Sequence, residues 1–305
     1  MAKTQPAVQT VRFTIPVSAT PSYVDLGLAL SMVNRRFMRQ GMNYAVAGLQ
    51  VIAPPTTSGT VTFSKIPNTW VASNAWHKIF AAWQRQQDDA LDDGGLQSAK
   101  GAFNDFKVFA DGDHVTKPVP FSLYPIDANG SNYTSPAEWL YSQVAFPNDG
   151  GIAGNTTERS IHMVGTHQTG VSLSAIYAYQ ESRAVPQSPD PATPGGVSLN
   201  PFKQMFDVGM DDNAVIENAI NRNDQLPYAQ MNYPGAASNA PTLEVHDELY
   251  LNPASTIPGK YNLAGTNLPC GLLRIDSSAD NALTLVFRMV PGKVRGYMAE
   301  PMQDM

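Results

Sequence analysis

Ala184–Pro201 reads AVPQSPDPATPGGVSLNP, with five prolines, two glycines and no aromatic residue. Proline lacks the N–H that a sheet ladder needs and breaks helix interiors, so neither a helix nor a central strand survives this density. The flanking sequence keeps a β rhythm on both sides. The fold therefore turns on whether this stretch links two β-domains or is a long excursion within one.

Upstream, Val11, Phe13, Ile15 and Val17 alternate with Arg12, Thr14 and Pro16. Val24, Leu26, Leu28, Leu30 and Met32 alternate with Asp25, Gly27, Ala29 and Ser31. Tyr44–Ala53 reads as a strand apolar on both faces, and Val61 and Phe63 alternate with threonines and Ser64. Phe106–Ala110 and Ile161–Val164 are short β-type runs, and Val171, Leu173, Ala175, Tyr177 and Tyr179 form another alternation. Downstream come Leu243–Leu251, Leu272–Ile275 and Leu283–Met289. Period two over such lengths predicts strands with one face on a core.

Two helices interrupt the rhythm. Ser73 reads as an N-cap ahead of Trp76, Ile79, Phe80 and Trp83 at helical spacing, with a stop at Gly94-Gly95. Asp211–Arg222 is the second. The strands are irregularly spaced and no internal repeat is visible, which argues against a propeller or solenoid.

The chain has 305 residues, 43% of them hydrophobic, enough to bury a sizeable core. Its net charge is −6 and it holds no block of basic residues, so packaging a genome through its phosphates is disfavoured. The one cysteine, Cys270, closes no intrachain disulfide and builds no cysteine zinc site. Met1–Phe13 carries no apolar signal core, and no apolar run approaches membrane-spanning length. The Asn-x-Ser/Thr matches at Asn129, Asn132 and Asn155 then read as chance.

Catalytic signals are thin. There is no Gly-x-Ser-x-Gly, phosphate-binding loop or His-Glu-x-x-His. His162 and His167 fall on opposite faces of a strand, with Glu158 the nearest carboxylate in sequence. His246, Asp247 and Glu248 alternate across a strand and make no acid–base pair. Asp111-Gly-Asp113-His114 has calcium-like spacing but lacks the rest of an EF-hand loop, so it reads as a turn. Arg35, Arg36 and Arg39 read as a solvated face or subunit contact. Trp76, Phe80 and Trp83 read as the buried face that docks a helix on a sheet. No catalytic, cofactor-binding or metal-binding residue is assigned, and the chain is not read as an enzyme.

Three stretches resemble capsid proteins of small environmental single-stranded DNA viruses: Ser31–Ala47 (SMVNRRFMRQGMNYAVA), Thr60–Trp76 (TVTFSKIPNTWVASNAW) and Phe103–Asp111 (FNDFKVFAD). The likeness spans roughly residues 8–185. Eukaryotic members with a single jelly roll hold their genome with an arginine-rich N-terminal arm; here Met1–Phe13 has only Lys3 and Arg12. The chain is more similar to the finnlakevirus type, bacteriophages with an internal membrane under the shell.

That resemblance implies an all-β double jelly roll of two eight-stranded barrels with short helical insertions. It divides the chain into residues 1–185, a Pro-rich linker at 186–200, and residues 201–305. The alternative is a single jelly roll with long insertions. The implied function is a major capsid protein of an icosahedral virion, made in the host cytoplasm. Its partners would be further copies of itself in a homotrimer, minor capsid or spike proteins and an internal viral membrane, with no strong nucleic-acid binding and no cofactor. The alternative function is a carbohydrate-binding or host-attachment protein such as a phage spike, using aromatics such as Trp70, Trp139 or Tyr141.

Overall fold

The protein is described here from a computed structural model covering residues 6–100, 105–133, 139–147, 156–184, 233–235, 243–253 and 259–305. Strand exceeds helix, 39% to 25%, so the chain is mainly β. The predicted helix over 211–222 and the Pro-rich stretch beyond Ala184 lie outside the described residues.

The first strand, β1 (Thr10–Ile15), has the burial pattern its alternation predicts, with Val11, Phe13 and Ile15 inward. Next come β2 (Ser22–Asp25), helix α1 (Leu26–Asn34), β3 (Met42–Ala53), β4 (Gly59–Lys65) and helix α2 (Trp70–Asp93). A short helix α3 (Gly112–Thr116) precedes β5 (Pro125–Ile126), β6 (Gln143–Pro147), β7 (Thr156–His162), β8 (Ser172–Ser174) and helix α4 (Ala175–Ala184). The C-terminal part adds β9 (Glu244–Leu251), β10 (Gly259–Leu263), β11 (Thr266–Leu268), β12 (Leu272–Ser277) and β13 (Leu283–Met289). A small hairpin of β14 (Pro291–Gly292) and β15 (Gly296–Tyr297) and the strand β16 (Ala299–Pro301) complete it.

A seven-stranded sheet runs β10-β3-β13-β1-β5, with β11 and β16 also paired to β3. A four-stranded sheet runs β2-β12-β4-β9. One apolar cluster joins them: Val11, Phe13, Leu49, Leu285 and Phe287 from the first sheet meet Val24, Val61, Phe63, Leu273 and Ile275 from the second. The sheets therefore form a sandwich.

The other face of the four-stranded sheet is covered too. Tyr23 and Leu272, neighbours of Val24 and Leu273, point outward into a second cluster built with Val71, Ala72, Trp76 and Trp83 of α2, Ile161 of β7 and Ile176 of α4. This third layer includes the small sheet β6-β7-β8.

This layering corrects the expected boundary. The Pro-rich stretch does not separate two sets of strands: β1 pairs with β13, β3 with β10 and β13, and β4 with β9 and β12. Residues 1–185 and 201–305 thus share both sheets. The described strands make one sandwich with a helical layer, and the split into two barrels at 186–200 does not describe them. Sequence alternation is the same whether a strand's partner lies near or far along the chain, so it carried no sign of this interleaving.

Two expected strands are partly helix. The run from Val24 to Met32 leaves β2 at Asp25 and becomes α1. Asp25 caps that helix by accepting from the Leu28 N–H at 3.1 Å. The helix is buried nearly all round, so helical periodicity vanishes from its pattern. Its small positions suit close contacts: a Cβ added at Gly27 would lie 3.0 Å from the Gln40 Cα. The run from Val171 to Tyr179 likewise leaves β8 after Ser174, whose hydroxyl accepts from the Tyr177 N–H at 3.2 Å and starts α4.

Helix α2 starts earlier than expected. Thr69 is its N-cap, and Ser73 sits within the first turns, its hydroxyl donating to the Met302 carbonyl at 2.7 Å. The stop at Gly94-Gly95 is as read, with Gly95 in the left-handed region at φ +64°. Phe106–Ala110 is not a full strand; only Phe109 bridges, to His162.

Candidate functional site

The densest polar constellation is buried inside the molecule, around Asp25. Its carboxylate is fully buried. Besides the Leu28 N–H it accepts from the Gln40 Nε2 at 2.9 Å, the Trp139 Nε1 at 3.1 Å and the Tyr141 hydroxyl at 3.2 Å. Burial raises the Asp25 pKa, and these four donors oppose that rise. The Gln40 Oε1 in turn accepts from the Val108 N–H at 2.6 Å. One carboxylate thus ties β2, α1, the loop before β3 and the chain around 108 and 139–141 together.

The network continues through Tyr141 to the Ser122 hydroxyl at 3.2 Å and on to the His114 Nε2 at 3.4 Å. Serine, histidine and aspartate in one network invite comparison with a nucleophile–base relay. Hydrogen-bond directions exclude that role. The His114 Nδ1 accepts from the Ala110 N–H at 3.1 Å, so in the neutral ring the proton sits on Nε2 and faces Ser122. Such an imidazole has no lone pair to take the serine proton. Burial also lowers the His114 pKa to about 3, keeping the ring neutral. The ring stacks on Tyr23 at 4.0 Å and is wholly buried.

Tyr23 leads to a second cluster. Its hydroxyl donates to Asp111 Oδ1 at 2.7 Å, which also accepts from the His114 N–H at 2.9 Å. Arg274 reaches Asp111 Oδ2 at 2.7 Å, Asp113 at 2.8 Å and Asp276 at 2.8 Å. The calcium-like fragment Asp111–His114 is therefore an N-cap whose carboxylates hold a guanidinium. Among the described residues no three His, Cys, Asp or Glu side chains gather as metal ligands.

The remaining singled-out residues are dispersed. His162 is buried, with Nε2 at 3.0 Å from the Thr166 carbonyl and burial lowering its pKa to about 4. His167 meets Glu181 at 3.1 Å rather than Glu158; that partner lies a helix away in sequence. His246 is the extra residue of a bulge, since Asp247 pairs with Phe63 and Val245 with Ser64. Its Nε2 lies 3.1 Å from the Ala264 carbonyl. Arg35 and Arg36 reach the Tyr133 and Pro6 carbonyls at 3.2 and 3.4 Å, and Arg295 joins them by donating to the Phe37 carbonyl. Cys270 is buried and free, and burial raises its thiol pKa.

The aromatics proposed for sugar binding are engaged internally. Trp70 meets Tyr179 and Tyr233 edge-on, Trp139 holds Asp25, and Tyr141 stacks on Phe109 at 4.0 Å. Trp76, Phe80 and Trp83 pack around Phe106 as a docking face. Beside them lies a cavity of about 270 Å³, lined by Arg39, Gly41, Met42, Asp105 and Gln303 among others.

A Cβ added at Gly41 would overlap the Trp76 indole. Gly41→Ala should therefore push Trp76 off its stack on Phe80, costing roughly 1–3 kcal/mol as overpacking does. The check is a lowered melting temperature together with changed tryptophan fluorescence; an unchanged melt would show that the indole shifts freely into the cavity.

No family model, curated protein or solved structure matches this chain.

Proposed function

We propose that the chain is a structural subunit of a virus shell, a capsid protein that assembles with copies of itself. The observation that carries this reading is the path of the chain through the sandwich. Strands β1, β2, β3, β4 and β5 alternate between the seven- and four-stranded sheets. So do β9, β10, β12 and β13, with β11 joining β10 on β3. Crossing from sheet to sheet at successive strands is the habit of Greek-key double-sheet folds, of which jelly rolls are the shell-forming kind.

Of the two jelly-roll versions, the interleaved sheets favour the single one. A homotrimer suits two barrels per chain, since three such chains make a six-sided tile. One sandwich per chain instead calls for rings of five or six copies around each axis. The reading is also supported by the inward use of the polar constellation, which fixes packing. Among the described residues no helix is long and apolar enough to cross a membrane.

The rival, a glycan-binding attachment protein, needs an open aromatic platform, and Trp70, Trp139 and Tyr141 are occupied elsewhere. Light scattering on the full chain at rising concentration separates the two. A shell subunit gives a mass of five or more times 33.0 kDa. A monomer that binds one glycan specifically on an array overturns the proposal.

A further inference from the structure

Among the described residues the outer face of the seven-stranded sheet carries one-sided charge, with its centre covered at Gln50 and Val286 and its cations exposed. Its strand residues include Arg12, Lys260 and Arg288, and the only carboxylate among them is Glu300 of β16, which accepts from Asn43 at 2.9 Å. All three cations are exposed, and none has an ion-pair or hydrogen-bond partner among the described residues. This stands out in a chain of net charge −6. The register sets Arg12 opposite Val286 and Arg288 opposite Thr10, so the two arginines are diagonal neighbours, about 7–8 Å apart in such a ladder. Lys260 lies across from Ile52, in the row that continues to Thr284 and Thr14.

The complementary charge sits in the third layer, beyond the four-stranded sheet. Helix α2 ends in Asp88, Asp89, Asp92 and Asp93. Asp88 is paired with Lys100, and Asp92 is bonded by Gln97. Asp89 and Asp93 are exposed and stand one turn apart, about 6 Å along the axis. Acids at a helix C-terminus oppose the macrodipole, and acids four apart repel each other. Within one chain the sandwich separates this end from the cationic face, so neither surface relieves the other.

We propose that the outer face of the seven-stranded sheet is a contact between copies of the chain and receives the acidic C-terminal end of α2 from a second copy. The roughly matching spacings let Arg12 and Arg288 face Asp89 and Asp93, while Leu96, 53% exposed, meets Ile52, 36% exposed. The contact is head-to-tail, the kind that propagates into rings and shells. It rests on the self-assembling reading above. Nucleic acid is the weaker occupant: three cations with no aromatic between them make a poor phosphate track.

The test is sedimentation velocity on the full chain at low and high salt, with fluorescent oligo-dT titrated in parallel. Arg12→Glu/Arg288→Glu, and separately Asp89→Arg/Asp93→Arg, should each weaken self-association about tenfold or more at low salt, with the wild-type contact itself weakening as salt rises. The neutral pair Arg12→Gln/Arg288→Gln should weaken it in the same direction, guarding against a folding defect of the reversals. Combining the two reversals should restore association to within about threefold of wild type, because the attraction is re-formed with its signs exchanged. Wild-type assembly that every variant matches overturns this contact and leaves the shell reading standing. A wild type that stays monomeric at every concentration overturns both. Sheet-face variants that lose oligo-dT affinity while associating normally would assign the face to nucleic acid.

Discussion

Asp25→Ala should lower the unfolding free energy by about 3–5 kcal/mol, because several buried neutral donors lose their acceptor at about 1–3 kcal/mol each. The four donors that converge on the carboxylate have no other acceptor in common. The α1 cap goes as well, worth typically about 1 kcal/mol. The Tyr141 hydroxyl keeps Ser122, 3.2 Å away, which limits the loss. Asp25→Asn should fall between alanine and wild type, since an amide keeps one acceptor oxygen but turns an NH₂ towards donors. Urea midpoints measure both. An alanine variant within about 1 kcal/mol of wild type would refute the central role given to this carboxylate.

Acid should unfold the protein early. His114 and His162 are buried, and their pKa values are lowered to about 3 and about 4. Unfolded histidine titrates near 6.5, so below that pH the unfolded chain takes up protons that the folded chain refuses. Stability is therefore full above about pH 6.5 and is lost as pH falls, by up to about 1.4 kcal/mol per unit per histidine. From pH 7 to 5 the two together remove about 4 kcal/mol.

Asp25 acts with the opposite sign. Its folded pKa is raised, so its protonation at low pH returns stability and flattens the curve further down. The measurement is unfolding free energy against pH, for wild type and for His162→Gln, which should remove roughly half of the slope between pH 6.5 and 5. A flat profile across that window would mean that neither ring is held neutral.

How much of this was legible in the chain depends on what each face of an element touches. Strand β1 is buried on one side only, so Val11, Phe13 and Ile15 alternate with Thr10, Arg12 and Thr14 and could be read directly. Strand β13 keeps the same rhythm in Leu283, Leu285, Phe287 and Met289, with Val286 the apolar exception on its other face. Strands β2 and β12 lie between two cores, so Tyr23 and Val24, like Leu272 and Leu273, are both buried and no alternation marks these two strands. Helix α1 hid for the same reason. Its one available signal was Asp25 immediately before Leu-Gly-Leu-Ala-Leu, an N-cap ahead of an apolar run.

The polar constellation was harder to see. Asp25 meets Trp139 and Tyr141 more than a hundred residues away, and Arg274 meets Asp111 across an even longer separation. No local spacing rule links such partners. Neighbours in sequence such as His246-Asp247-Glu248 take no part in the constellation, as their spacing leads one to expect.

The central claim is that this sandwich builds a shell from copies of itself, and electron microscopy of the concentrated full-length protein, surveyed across salt and divalent ions, tests it most directly. The account predicts closed particles or regular arrays of capsomers. Dispersed single chains under every condition would contradict it.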